Sequence, residues 1–217
     1  MSYRDQLRAL LSPAERSVFK KLSTPNRIQD YLEALPQNFS YKAGETHRSP
    51  RRILENKASK KAYCFEGAVF AAAALAYHGR EPILMDLQTT DDDEDHVVAL
   101  FKENGLWGAL SQTNHPVLRW RDPVYKSVRE LAMSYFHEYF LPNNGKKTLY
   151  AYSTPFDLSK YKPEEWVTAE ESLDWLAEAL DESKHFPIAP QKVLRQARRA
   201  SMLERQASKL QRWSKKK

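Results

Sequence analysis

The stretch CFEGAVFAAAALAYH at 64–78 constrains the fold more than any other part of the chain. Apart from Glu66 and the terminal His78, it offers only apolar or small side chains around its whole circumference. A helix without a polar face has nothing to give to water, so the rest of the chain must enclose it. Its alanines let neighbouring elements approach closely. Gly79 follows as a C-cap. The spacing therefore predicts a buried central helix over 64–78, with Cys64 at its first turn.

The residues after it read as strands. PILMDL at 82–87 is a buried strand, TTDDDED at 89–95 an acidic loop, and HVVALF at 96–101 a second strand. Asn104-Gly105 is a tight turn into LWGAL at 106–110. QTNHP leaves that strand as a loop, and TLYAYS at 148–153 is one more strand. Before the central helix, Ser12-Pro13 with Glu15 is a capping box, Thr24-Pro25 starts a helix that Pro36 ends, and Ser49-Pro50 starts a third through Leu54. After the hairpin, aromatic spacing predicts a helix over 124–141. Thr168 with Glu171 predicts a cap for a helix to about Leu180. Pro187 and Pro190 read as a linker, and 191–213 as a basic amphipathic helix. Three parts result: an N-terminal helical segment at 1–60, a core at 61–186 and a basic helical tail at 187–217. The expected class is α+β, with the Cys-bearing helix packed on a small antiparallel sheet.

Charge is divided unevenly. Of the 34 Lys and Arg, ten lie in 191–217 beside one acid, Glu204, so that segment carries +9 and the remainder −3. A nucleic-acid or acidic-protein partner would therefore have to be engaged by the tail. No apolar run reaches the length of a membrane span, and the N-terminus lacks the pattern of a signal peptide. One cysteine forms no internal disulfide and no Cys-based zinc site, which suits a cytoplasmic protein. No metal or other cofactor is expected. The run Asp91, Asp92, Asp93, Glu94, Asp95 lacks the ligand spacing and glycine of an EF-hand and reads as a solvated loop.

The order of elements has a chemical logic. A helix N-terminus lowers the pKa of a thiol, and a His at the head of a neighbouring strand can act on it as base and acid. The acidic loop before His96 favours imidazolium. A polar group on the next strand can orient the ring.

The segments YCFEGAVFAAAALAYHG at 63–79, DHVVALF at 95–101 and GLWGALSQT at 105–113 resemble the transglutaminase-like superfamily, which has a papain-like fold. With RWRDPVYKSVRELAMSYFHEYF at 119–140, the chain is similar to a group of bacterial transglutaminase-like proteins. The resemblance covers roughly 60–115. It implies a cysteine hydrolase or acyltransferase acting on a peptide or other amide. Cys64 looks like the nucleophile and His96 like the base. The family pattern then reads W-x-x-x-D-x-T, whereas this chain has Trp107 followed by Ser111 and Thr113. Ser111 stands at the acid's place without its charge. Asn114 and the more distant Asp122 are alternatives for orienting His96. Tyr63, Trp107, His115 and Trp120 are the candidates for substrate contact, and His115 competes with His96 as base. A module that keeps the fold without the activity, and binds through its basic tail, is the alternative expectation. A metal-dependent hydrolase built on His96, His115 and the acidic loop lacks the helical His spacing such sites use.

Overall fold

A computed structural model of the chain describes residues 1–37, 46–55 and 62–211. The chain opens on α1 (Tyr3–Leu10), α2 (Pro13–Lys21), α3 (Pro25–Ala34) and α4 (Pro50–Glu55). The Ser12–Glu15 capping box starts α2, and the Thr24 side chain caps α3. Ser2 caps α1 in the same way. These short helices are amphipathic. Leu7, Phe19, Ile28, Leu32 and Ile53 bury their side chains against the central helix, α5 (Cys64–Tyr77). Every residue of α5 is buried, as its composition demands. Gly79 follows in the left-handed conformation at φ 82°.

The strands are β1 (Ile83–Thr89), β2 (His96–Glu103), β3 (Leu106–Leu110), β4 (Arg121–Tyr125), β5 (Leu149–Ser153), β6 (Phe156–Asp157) and β7 (His185–Pro187). They form one antiparallel sheet in the order β4-β3-β2-β1-β5-β7, with β6 pairing the other end of β1's edge. Asn104 and Gly105, at φ 51° and 81°, make the β2–β3 turn with the two left-handed residues that a type I′ hairpin needs. Side chains alternate between two cores. Leu84, Val97, Ala99, Phe101 and Leu110 face α5. Met85, Leu87, Val98, Leu100 and Ala109 face a second layer containing Leu118, Tyr135, Tyr139 and α6 (Val128–Met133). The molecule is thus α+β, with helices flanking an antiparallel sheet. Among the described residues no helix is long and apolar enough to cross a membrane.

Four expectations need correction. The helix expected over 124–141 is only α6. Its first residues belong to β4, where Tyr125 pairs Trp107 and Arg121 pairs Ala109. Beyond Met133 the backbone tightens into turns, and Tyr135 and Tyr139 enter the second core from irregular chain. Buried aromatics produced the helical spacing without a helix. The segment after Thr168 is not helical. It follows α7 (Pro163–Trp166), and α8 (Asp174–Asp181) begins only at Asp174. Pro187 lies in the edge strand β7 rather than in a linker, where its missing N–H costs nothing.

The fourth correction concerns 191–213. Its described part is two short helices, α9 (Gln191–Arg195) and α10 (Met202–Ala207), while residues 212 and 213 lie outside the described residues. The break between them is a docking point. The Ala200 N–H donates to the Gly145 carbonyl at 2.8 Å, and Arg199 and Arg205 bond the carbonyls of Asn144 and Pro142. Gly145 sits at φ 73°, and a Cβ there would lie 2.6 Å from the Ala200 oxygen. Only glycine fits that approach.

Candidate active site

Cys64 is the first residue of α5 and is 8% exposed. The start of this helix is bolted down by Glu66, which is fully buried. One carboxylate oxygen accepts the Tyr63 N–H at 2.9 Å and an Arg48 Nη N–H at 3.1 Å. The other accepts from Arg48 Nε at 2.7 Å and from Thr46 Oγ1 at 2.8 Å. A buried carboxylate is tolerable only when satisfied in this way. The result fixes where Cys64 stands.

His96 opens β2. It shares the parity of Val98 and Leu100, so its side chain leaves the sheet on the face away from α5. Its Nε2 lies 2.6 Å from Ser111 Oγ, on the residue after β3. Ser111 in turn is held by Gln29 of α3. The Gln29 amide donates to the Ser111 carbonyl and accepts the Ser111 N–H, both at 3.0 Å. All three residues are buried.

Cys64 and His96 line one small cavity of about 80 Å³ with Tyr63, Gln112, Asn114, His115 and Tyr139. Its walls come from both sides of the sheet: Tyr63 and Cys64 from one, Leu118 and Tyr139 from the other. The cavity therefore lies beyond the ends of β2 and β3, where the two faces meet. Close approach of α5 to this end depends on Gly67. A Cβ on Gly67 would sit 2.2 Å from that of Gln112.

Burial pushes the His96 ring down to about 3 from an ordinary 6.5, with His115 and Arg121 adding to the effect and the Leu118 carbonyl opposing it. This corrects the expectation that the acidic loop would favour imidazolium. Several of that loop's carboxylates are bound elsewhere: Asp95 accepts from Thr89, Asp93 from Thr148, and Asp92 pairs with Lys146. His96 is neutral, and a neutral imidazole is a proton acceptor. His115 is also lowered by burial, with Asp93 opposing.

Among the other sequence-derived candidates, Ser111 meets His96, and Tyr63, Asn114 and His115 line the cavity. Trp107 and Trp120 are not brought there. Trp107 sits up β3 under the Lys102 ammonium, 4.1 Å from the ring centroid. Trp120 packs on Phe101 at 5.2 Å. Asp122 is exposed on β4, where it does not orient His96.

Sequence reasoning missed Tyr139, Gln29 and Asp86. Burial holds the Tyr139 phenol well above its usual range, so it stays protonated and can donate. Asp86 is buried in β1, and its Oδ2 lies 3.1 Å from His185 Nε2. Burial raises the Asp86 carboxyl while the His185 bond opposes. Burial would lower His185, but the bonds to Asp86 and to the Ser183 carbonyl outweigh it and the ring is raised. A carboxylate inside the apolar run PILMDL was the available signal. For Gln29, on an otherwise ordinary helix face, there was none. Scans of known protein families and of curated proteins find no match to this chain.

Proposed function

We propose that this protein is a cysteine-dependent acyl-transfer enzyme acting on an amide, built on a transglutaminase-like core. The observation that carries the reading is that His96, hydrogen-bonded through Nε2 to Ser111 Oγ, lines one cavity with Cys64. The neutral His96 ring, oriented by the Ser111 hydroxyl at its Nε2, takes the thiol proton. The Cys64 sulfur then attacks the carbonyl carbon. The C–N bond breaks, His96 returns the proton to the departing amine, and a thioester remains on Cys64. Water, deprotonated by the same ring, hydrolyses it and restores the thiol; an amine in place of water gives transamidation. The oxyanion is held by the N–H groups at the start of α5 and by the Tyr139 hydroxyl. A serine can orient the imidazole but brings no charge to stabilise imidazolium, so turnover is slower than with an acid at that place.

The test is acylation by p-nitrophenyl acetate. The chain has one cysteine, so the difference in intact mass gain between the parent and Cys64→Ser separates acetylation of Cys64 from that of lysines. The expected result is one acetyl group per chain more than in Cys64→Ser, and loss of that acetyl on standing. Acetylation that is equal in Cys64→Ser overturns the reading.

Ser111 in place of an acid favours a second reading, a binding module that acts through the basic segment 191–217. If polyanion binding is unchanged on deleting that segment, this second reading fails.

A further inference from the structure

Cys64 also lines a larger cavity of about 380 Å³, on the α5 side of the sheet. Its size is that of a small-molecule site rather than of a packing defect. The walls carry six acids: Asp86, Asp91, Asp93, Glu94, Asp95 and Asp181. No Lys or Arg lines it among the described residues. Clustered carboxylates alone make no site, since a solvated loop gathers them too.

Asp86 is different from the rest. It is 1% exposed and comes from the middle of a central strand, not from the loop. His185 satisfies its Oδ2. Its Oδ1 is buried and meets no donor. A buried carboxylate oxygen is costly to strand, and native structures rarely leave one without a use. The rest of the residue is held rigidly: its N–H donates to Ser153 Oγ at 2.9 Å, and the His185 ring is fixed in turn by the Ser183 carbonyl. The unmet oxygen thus belongs to a rigidly held residue that lines the acidic cavity.

We propose that this cavity binds an organic cation, an alkylammonium or guanidinium group whose N–H donors meet Asp86 Oδ1. The ring of carboxylates supplies the attracting field, and Asp86 supplies the directed bond. A metal ion fits less well. Among the described residues no three His, Cys, Asp or Glu side chains converge as a metal site requires. An alkylammonium or guanidinium group instead presents N–H donors in several directions. The site goes beyond the acyl-transfer reading and stands without it, because recognition of the cation needs no thiol.

The test is calorimetric titration of the full chain with n-butylguanidine, n-butylammonium, neutral n-butanol and Ca²⁺. Saturable binding of either organic cation, weakened at least tenfold in Asp86→Asn, is the expected result. None of these probes is an acyl donor, so their binding is read apart from the thiol chemistry, whatever acylation experiments return. If Asp86→Asn does not fold, the His185 ring resonances of the unaltered protein provide the readout, since that ring touches Asp86. They shift on titration with n-butylguanidine if the proposal is right. Absence of binding, equal binding of n-butanol, preference for Ca²⁺, retention in a folded Asp86→Asn or unmoved His185 resonances would each overturn it.

Discussion

His96 spends its life neutral. Its folded value near 3 lies below the ordinary 6.5, so the unfolded chain takes up a proton in that window and the folded chain does not. The associated stability is complete above about pH 6.5 and is lost as pH falls toward 3, by roughly 3 kcal/mol at about pH 4.5. His96→Gln flattens that part of the curve, which urea melts at about pH 7 and about pH 4.5 can resolve. A parallel acid loss in both proteins would contradict the burial argument. Gln29 acts at the same scale through two bonds. Gln29→Ala strands the buried N–H and carbonyl of Ser111 at a cost of roughly 2 kcal/mol or more. It also frees the Ser111 hydroxyl to move from His96, so acylation of Cys64 slows by more than the stability loss explains. A drop in melting temperature with an unchanged acylation rate would make Gln29 purely structural.

At the scale of elements, the helix start and the sheet end must meet closely for Cys64 and His96 to share a cavity. Gly67 permits this against Gln112. Gly67→Ala therefore forces α5 away from the segment after β3, costing about 1–3 kcal/mol in a thermal or urea melt. A variant as stable as the parent would show that the contact relaxes freely. Much of this arrangement was legible. An all-apolar helix has one possible environment, and Asn-Gly between alternating runs specifies its hairpin. Helix α5, strand β2 and strand β3 accordingly stand where their residues put them. The errors came where burial mimics periodicity. Tyr135 and Tyr139 are spaced like a helical stripe but are buried from turns, and the apolar spacing of 191–213 continues across a backbone break at Ala200. The neutral state of His96 was not legible either, because the acidic loop adjoins it in sequence while its ring lies buried near His115 and Arg121.

The whole molecule is a helical layer, a sheet and a second layer of turns, with the C-terminal segment laid over that second layer. Two of the ten basic side chains of 191–217, Arg199 and Arg205, are engaged by backbone carbonyls of 142–144. Gly145 is the point on which the docking turns. Gly145→Val drives a side chain into the Ala200 carbonyl and releases the segment. Trypsin then cuts after Arg198 and Arg199 about tenfold faster or more, since cleavage follows the population of the open form. Unchanged cleavage would mean that the segment is held elsewhere.

The claim that Cys64 and His96 work as a pair is most directly tested by the pH profile of Cys64 acylation by p-nitrophenyl acetate, followed in the parent and in His96→Gln. A neutral base predicts acylation about 100-fold or more faster in the parent, with no limb near pH 6.5, because His96 stays deprotonated down to about 3. Equal rates in the two proteins, or a limb centred near pH 6.5 that survives in His96→Gln, would contradict it.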